Sequence, residues 1–420
     1  MNHLKNDSSP LISGANKAGF FYGYIIVAAS FLILMIAWGS QYSFGIFFKP
    51  MLAEFGFSRA VLSGAYSINM IIQAAACIFI GKLSDRYGPR LVVTLCGTLL
   101  GISYLLMSQA QMLWHIYLLF GVVASIGLAG MWVPLLSTIA KWFVSGRGLM
   151  CGIAAAGIGI GIIFVPPLTS FFIAGFGWRT SYVIIGTALL ILIILSAQAL
   201  KRDPAKIGLS ALGMSEQHEE DNPSFTFPEA VRSRQFWMIS GVFLVMNICV
   251  HSVMVHIVPH ATDVGIADAT AAVILSVIGV ASIISKLVVG AALDRLGNKT
   301  VVIIIVSLML ISLIFIQFSN ALWVFYVFAV FFAFAYGGFA ASQSPYIAYL
   351  FGLKHHGTIF GFSSFIFMGS AAFGPLISGK IFDVTSSYNY VFILLSVLSV
   401  LAILFACGIK KTGRGTPIKH

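Results

Sequence analysis

Charge is the property that this sequence has least of. Asp, Glu, Lys and Arg together make up 9% of its 420 residues, against roughly a quarter in a soluble globular domain. The hydrophobic content of 59% and the mean hydropathy of +0.98 are equally far from a soluble composition. These values exclude an ordinary soluble domain and predict a chain that crosses a lipid bilayer several times.

Cysteine is scarce as well, and its placement argues against a metal centre. No two of the five cysteines have the spacing of metal ligands, and all lie in apolar stretches. They are interpreted as small packing residues without disulfide bonds. These residues are Cys77, Cys96, Cys151, Cys249 and Cys407.

Nucleotide-binding loops are missing too. There is no Walker lysine motif, and the run Gly157-Ile-Gly-Ile-Gly161 has no strand before it and no acidic partner after it. This run predicts close packing between helices. Neither ATP-driven transport nor a bound cofactor is expected. Because the apolar stretches contain no carboxylate pair or metal cluster, an enzyme is not expected either.

Twelve apolar windows of bilayer length alternate with polar residues, six on each side of a long polar stretch at 201–235. They predict an all-α membrane protein with twelve transmembrane helices. The polar segment Met1 to Lys17 lacks the pattern of a removable signal peptide, so the first helix is expected to direct insertion. The predicted spans are 21–48, 61–82, 90–108, 114–140, 148–175, 179–200, 236–259, 270–293, 299–319, 321–350, 357–380 and 387–408.

The distribution of Lys and Arg predicts that both termini are cytoplasmic. With that orientation nineteen of the 24 cations lie on the cytoplasmic side, as the positive-inside bias requires. Lys286 falls inside the eighth span. The net charge of +11 is then explained by contact with anionic lipid headgroups, and nucleic acid is not an expected partner. The outer cations are Lys49, Arg59, Arg179 and Lys380.

A ten-residue loop motif occurs twice, between spans 2 and 3 and between spans 8 and 9. Both copies read Gly-x-x-x-Asp-Arg-x-Gly-x-basic. Glycine permits tight turns and close helix approach, and the Asp can accept hydrogen bonds at a neighbouring helix N-terminus. Two copies at matching positions indicate internal duplication and predict a gate on the cytoplasmic side. The candidate gating residues are Gly81, Asp85, Arg86, Gly88, Arg90, Gly290, Asp294, Arg295 and Gly297.

The repeated loop resembles the signature of the major facilitator superfamily, and the resemblance extends over nearly the whole chain. Further segments resemble the branch that contains monocarboxylate transporters and oxalate/formate antiporters. These segments are Tyr42-Ser-Phe-Gly-Ile-Phe-Phe-Lys-Pro50, Glu54-Phe-Gly-Phe-Ser-Arg59, Arg147-Gly-Leu-Met-Cys-Gly152, Gly177-Trp178-Arg179, Arg202-Asp-Pro204-Ala-Lys-Ile-Gly208, and Gly374-Pro375 followed by Ile381-Phe-Asp383.

The resemblance implies two six-helix bundles around a central cavity, which opens alternately to the two sides of the membrane. The expected units are a cytoplasmic segment 1–20, a first bundle 21–200, a flexible inter-bundle loop 201–235, a second bundle 236–408 and a tail 409–420. Short loops and the lack of a targeting peptide favour a bacterial inner membrane. The sequence leaves the oligomeric state open, and a monomer would suffice.

Lys286 is the leading candidate for binding a substrate. A charge inside a span is costly and usually faces a cavity, although its side chain can also extend to the headgroups. All thirteen Asp and Glu residues lie in loops or at helix ends, so no carboxylate is available to neutralise this ammonium. The resemblance implies a carboxylate-binding cation at this position. Since dicarboxylate carriers have a second cation in span 11, where Ser363 and Ser364 stand here, one carboxylate is expected.

Polar side chains at helical spacing are the further candidates for the cavity wall, with mere helix–helix contact as the equal alternative. The resemblance implies that Tyr42 and Ser282 stand where animal monocarboxylate transporters have a lysine and an acidic residue, so their proton relay cannot be transferred. The candidates are Tyr42, Tyr66, Asn69, Gln73, Asn247, His251, Ser282, Tyr336 and Gln343.

Titration near neutral pH makes His251 a candidate for proton coupling, although a structural role is equally compatible with its position. Lys286 is the second candidate, since it and a bound carboxylate can change charge state together. His256 and His260 lie near the outer surface, so a metal site is not expected.

The sequence therefore predicts a secondary active transporter of a small monocarboxylate of the lactate, pyruvate and formate class, coupled to protons. A carboxylate antiporter or an amphiphile exporter is the alternative within transport. A carboxylate-binding receptor is the alternative outside it.

Overall fold

The computed structural model describes residues 21–56, 59–213, 224–318, 321–371 and 373–410. Regular structure in these ranges is helical, apart from one bridge between Phe143 and Leu212. The α-helices are α1 (Gly23–Tyr42), α2 (Phe44–Phe55), α3 (Arg59–Tyr87), α4 (Pro89–Met107), α5 (Leu113–Ile116), α6 (Ala124–Ala129), α7 (Val133–Trp142), α8 (Arg147–Gln198), α9 (Phe227–Arg232), α10 (Arg234–Asp263), α11 (Asp268–Leu296), α12 (Asn298–Phe315), α13 (Leu322–Phe351), α14 (His356–Ser370), α15 (Phe373–Thr385) and α16 (Asn389–Gly408).

Eleven helical segments of the described chain are long and apolar enough to cross a membrane. One of them, α8, has 52 residues and would be about 78 Å long as a straight helix, more than twice the thickness of a bilayer core. Gly177 interrupts it with φ 77° and ψ 162°. This break lies between the predicted spans 148–175 and 179–200. The all-α membrane fold is confirmed, and the number twelve stays a prediction.

Several spans consist of more than one element. Ser43 separates α1 from α2, and its hydroxyl donates to the carbonyl of Gly39 at 2.9 Å. A π-helical segment, Tyr117–Val123, lies between α5 and α6. Side chains that bond to the backbone and π-helical turns both disturb the regular helical ladder. These interruptions leave no mark in hydropathy, which is why the sequence predicted unbroken spans.

Glycines bring helices from opposite halves of the chain together. In α8, Gly152 lies against the carbonyl of Lys286, and Gly148 lies against Gly290. In α3, Gly81 lies against the carbonyl of Gly357. A β-carbon at any of these glycines would collide with the facing backbone, so the contact depends on their small size. The first and second halves therefore touch along α8 and α11 and along α3 and α14.

The run from Gly157 to Gly161 packs helices as predicted. Gly157 and Gly161 face the carbonyls of Phe31 and Met35 in α1. Gly159 faces Ile283 of α11. The glycine-rich run thus serves two helix contacts on different faces of α8, and the packing interpretation is confirmed.

The described parts of the stretch 201–235, residues 201–213 and 224–235, form hydrogen bonds with both bundles. The amide of Leu212 donates to the carbonyl of Trp142, and its carbonyl accepts from the amides of Val144 and Ser145. On the other side of 214–223, which lies outside the described residues, Phe225 donates its amide to the carbonyl of Phe351. The prediction of a flexible tether over all of 201–235 is therefore too broad.

Candidate functional site

Lys286 lies on α11 with only 2% of its surface exposed. Its ammonium donates to the hydroxyl of Ser282 at 3.4 Å, one helical turn away, and lies 5.2 Å from the centre of the Tyr336 ring. Cation–π contact and one hydroxyl give a buried ammonium partial compensation. None of the ion pairs in the described part of the chain includes Lys286. Its side chain is buried among helices, so it does not extend to the membrane surface.

Three tyrosines from the two halves of the chain lie near one another, and one of them, Tyr336, contacts Lys286. Tyr42 of α1 interacts electrostatically with Tyr66 of α3 and with Tyr336 of α13. Tyr42 is 40% exposed, whereas Tyr66 and Tyr336 are half-buried. The structure therefore places Lys286 in contact with Ser282 and Tyr336, and it places Tyr42 near Tyr336 and Tyr66.

A cluster of buried amides lies next to Tyr42. The Gln41 side-chain NH₂ donates to the side-chain oxygens of Asn69 at 3.1 Å and Gln73 at 3.5 Å, and Asn69 donates to the carbonyl of Phe120 at 2.7 Å. The sequence pattern did not single out Gln41 as a candidate, because this residue has no polar neighbour at helical spacing in its own helix. Its side-chain oxygen and the Gln73 side-chain nitrogen have no partner among the described residues, so the cluster retains unused hydrogen-bonding capacity.

Asn247 and His251 form a separate group on α10. Asn247 donates its side-chain nitrogen to the carbonyl of Phe367. Nδ1 of His251 lies 3.2 Å from the carbonyl of Asn247, and since a carbonyl only accepts, Nδ1 carries the hydrogen and Nε2 offers a lone pair. No hydrogen bond in the described part of the chain links His251 to Lys286. Gln343 of α13 is buried, and its side-chain oxygen lacks a partner there.

A histidine near the C-terminal end of α10 makes structural contacts with two other helices. Nε2 of His256 lies 3.1 Å from the carbonyl of Pro375, and Nδ1 lies 3.2 Å from the hydroxyl of Tyr388. The carbonyl requires a hydrogen on Nε2, which leaves Nδ1 to accept from Tyr388. Within the described ranges no group of three or more potential metal ligands is found.

Asp85, in the first copy of the repeated loop, caps the N-terminus of α14. Its carboxylate accepts from the amides of Gly357 at 3.2 Å and Thr358 at 2.7 Å, and from the Thr358 hydroxyl at 2.9 Å. Lys141 of α7 pairs with the same carboxylate at 3.1 Å. A carboxylate at a helix N-terminus is stabilised by unpaired amides and by the helix dipole. We call this set of contacts the first latch.

Asp294, in the second copy, caps the N-terminus of α8. Its two oxygens accept from the amides of Gly148 and Leu149, both at 2.9 Å. We call this the second latch. In each case an Asp of one half holds the first turn of a helix that belongs to the other half. Both latches lie at the end of the bundle that carries the repeated loops, and each connects the two halves there.

The other loop residues support the turns or bind locally. Gly88 and Gly297 have φ of 88° and 83°, in the region that favours glycine. Arg86 lies 5.3 Å from the ring centre of Tyr87, and Arg295 is exposed. Arg90 donates to the Gln198 side-chain oxygen, so it joins two helices of the same half and does not reach across.

Comparisons with known proteins agree with this architecture. A sequence profile of the Major Facilitator Superfamily matches residues 30–262 and 251–417. Monocarboxylate transporter 13 of Rattus norvegicus is 25% identical over 403 residues, which cover 94% of this chain and 92% of the rat protein. Monocarboxylate transporter 4 of the same species is 25% identical over 382 residues, which cover 89% and 80%.

Solved structures share the fold at low sequence identity. The proton:xylose symporter XylE superposes with a TM-score of 0.73 at 14% identity, covering 91% of this chain and 95% of that one. The human organic anion transporter MFSD10 gives the same TM-score and identity, with 91% and 99% covered. The chain therefore belongs to the Major Facilitator Superfamily, and the curated relatives that it resembles are monocarboxylate transporters.

Proposed function

We propose that this transporter carries a small monocarboxylate of the lactate, pyruvate and formate class by secondary active transport. Membership of the family makes the chain a multi-pass, non-enzymatic membrane transporter. The observation that carries the substrate class is Lys286, a buried ammonium without a carboxylate partner in the described part of the chain. Such a cation is stabilised when an anion enters beside it.

The number of cavity cations supports one carboxylate per substrate. On α14, where a dicarboxylate carrier would place a second cation, Ser363 and Ser364 are buried and their hydroxyls have no partner among the described residues. The tyrosines around Lys286 and the amides of Gln41 and Gln73 offer donors and acceptors to the remainder of a small acid.

The packing of Lys286 supports a link between binding and alternating access. Its backbone carbonyl faces Gly152 of the opposite half, and Gly290 and Asp294 follow on the same helix toward the second latch. An anion bound at the ammonium thus acts on the helix that closes this end. We place this end and both termini in the cytoplasm of a bacterial inner membrane, with the bundles at 21–200 and 236–408.

Proton coupling is assigned to Lys286 together with the bound carboxylate, with His251 as the second candidate. The amine of Lys286 takes up a proton as the carboxylate binds, which gives a neutral ammonium–carboxylate pair. When the carboxylate is released on the other side, the ammonium loses its proton to the same side, so one proton accompanies each anion. The free lone pair on Nε2 of His251 can accept a proton. Exchange of one carboxylate for another would use the same site without net transport of protons.

The test is uptake of labelled lactate, pyruvate and formate into proteoliposomes under an inward proton gradient. Wild type is compared with Lys286→Met, which retains length without charge, and with Lys286→Arg, which retains the charge. Lys380→Met is the matched control, because Lys380 is an exposed lysine of the same half. We expect gradient-driven uptake of one acid, at least a hundredfold loss in Lys286→Met, and wild-type rates in the control.

Three results would redirect the assignment. Uptake that needs a carboxylate on the opposite side and ignores the proton gradient identifies an antiporter. No uptake of any of the three acids by monodisperse, correctly inserted protein removes the monocarboxylate assignment, and the export of amphiphiles then becomes the leading transport activity. Binding of a carboxylate without any flux would instead favour a receptor.

A further inference from the structure

His356 opens α14 at the first latch, and it is completely buried. The two residues that follow it, Gly357 and Thr358, donate their amides to Asp85. The imidazole therefore lies at the contact between the two halves, outside the set of residues around Lys286. Nothing in the proposed transport of carboxylate requires a histidine here.

The hydrogen bonds of His356 determine its tautomer. Nε2 lies 3.0 Å from the hydroxyl of Ser344. That hydroxyl donates its single hydrogen to the carbonyl of Leu136 at 3.1 Å, so it can only accept from the ring. Nε2 therefore carries a hydrogen, and the neutral ring has its lone pair on Nδ1. Nδ1 has no partner among the described residues.

These bonds form a chain across the two halves. The ring on α14 donates to Ser344 on α13, and Ser344 donates to Leu136 on α7 of the first half. The ring also stacks on Phe360, with planes 4° apart and centres 5.7 Å apart. Separation of the halves at this end breaks the bond between Ser344 and Leu136 and admits water to the ring.

The surroundings oppose a charged imidazole while the end is closed. Lys141 of α7 and Arg147 of α8 both interact unfavourably with a protonated ring. Asp85 of α3, at the same contact, is paired with Lys141 and accepts from the α14 amides. Cys151 of α8, whose side chain forms a hydrogen bond with that of Ser344, is a further titratable neighbour. A second proton would go to Nδ1, where no acceptor is present among the described residues.

We propose that His356 is a proton-binding site that opens this end of the transporter when it is protonated. The neutral ring fits the closed arrangement, and the charged ring is stable only when water reaches Nδ1. Because protons then bind the open state in preference, acidification of the adjoining compartment shifts the equilibrium toward opening. A solvated imidazole titrates near pH 6.5, so the ratio of open to closed molecules should rise about tenfold between pH 7.5 and pH 5.5.

The test is a distance across this end, measured by pulsed electron paramagnetic resonance without substrate. Spin labels are attached at Tyr87 and Leu296, which are exposed at the C-terminal ends of α3 and α11, in a variant whose native cysteines are replaced. We expect the long-distance population to grow on acidification of wild type and to be independent of pH in His356→Gln. His355→Gln, one residue earlier, is the matched control and should retain the response.

A second variant keeps the proposal testable if His356→Gln fails to fold. Ser344→Ala removes the bridge but leaves the titrating ring, so the open population should rise at every pH while its pH dependence remains. An unchanged wild-type distance from pH 7.5 to 5.5, or a His356→Gln variant that responds like wild type, overturns the proposal. The proposal rests on the opening of this end and needs no particular substrate. Failure of uptake and failure of the pH response are therefore separate results.

Discussion

The two latches come from copies of one motif, yet their contacts are unequal. Asp85 receives three hydrogen bonds and an ion pair with Lys141, and it is half-buried. Asp294 receives two hydrogen bonds and is exposed. Burial reduces competition from water and screening by salt, so the same charge contributes more at the first latch. Duplication preserved the geometry of the motif, while the surroundings set its strength.

Removal of the Asp85 charge at the first latch should produce the largest rise in the ratio of open to closed molecules. Asp85→Asn leaves the α14 amides facing an uncharged group, at a cost of about 2 to 3 kcal/mol to the closed state. The ratio of open to closed molecules should rise roughly 30- to 150-fold. The spin-label distance between Tyr87 and Leu296 measures this, and an unchanged distance distribution would remove the first latch from the gate.

The same substitution at the second latch should have a smaller effect. Asp294→Asn weakens two hydrogen bonds at an exposed carboxylate, which should cost the closed state about 1 kcal/mol. The ratio of open to closed molecules should then rise roughly fivefold. The same labels provide the measurement. If Asp294→Asn raises the ratio of open to closed molecules as much as Asp85→Asn or more, burial does not determine the difference between the two latches.

The ion pair accounts for a minor part of the first latch. Lys141→Met removes the partner of Asp85 but retains the three hydrogen bonds to α14. We expect the closed state to lose about 0.5 kcal/mol of stability, which corresponds to roughly a twofold rise in the ratio of open to closed molecules. The double variant Asp85→Asn with Lys141→Met completes a double-mutant cycle. In the Asp85→Asn background, Lys141→Met should no longer change the ratio of open to closed molecules.

The smallest predicted effect is on the melting temperature, and it comes from an ion pair outside the latches. Arg179, and then Trp178, donate to Glu54 and hold the pKa of its carboxyl below the usual range. Stability from a lowered pKa is present above the unfolded-state value and is lost as pH falls through the folded-state value. The melting temperature of wild type should therefore exceed that of Glu54→Gln slightly at neutral pH.

The difference in melting temperature should shrink as the pH falls below about 4, in the range where glutamate takes up a proton. Differential scanning in detergent at several pH values checks this. A constant difference across that range would show that Glu54 contributes by packing and not by charge. Glu54 lies just before the N-terminus of α3, whereas Asp85 lies near the C-terminus of that helix, so Glu54→Gln should not alter the spin-label distances at the latches.

Much of the site followed from composition because membrane insertion penalises charge so strongly. Lys286 stood out as the cation inside a span, and its burial beside Ser282 and Tyr336 agrees with that nomination. Gln41 and His356 were missed for different reasons. Gln41 is isolated in its own helix, and His356 lies at the end of a predicted span, where a polar residue needs no special explanation.

The apolar stretches of bilayer length, the repeated loop and the isolated lysine are visible in the amino-acid sequence, since each is a property of a short run of residues. The partners of these residues depend on the packing of the helices. Asp294 meets an amide 146 residues away, and Asp85 meets one 272 residues away. The tautomer of His356 depends on Ser344 and, through it, on a carbonyl of the opposite half. Hydrogen bonds between distant residues leave no periodic pattern along the chain, so only the packed helices determine them.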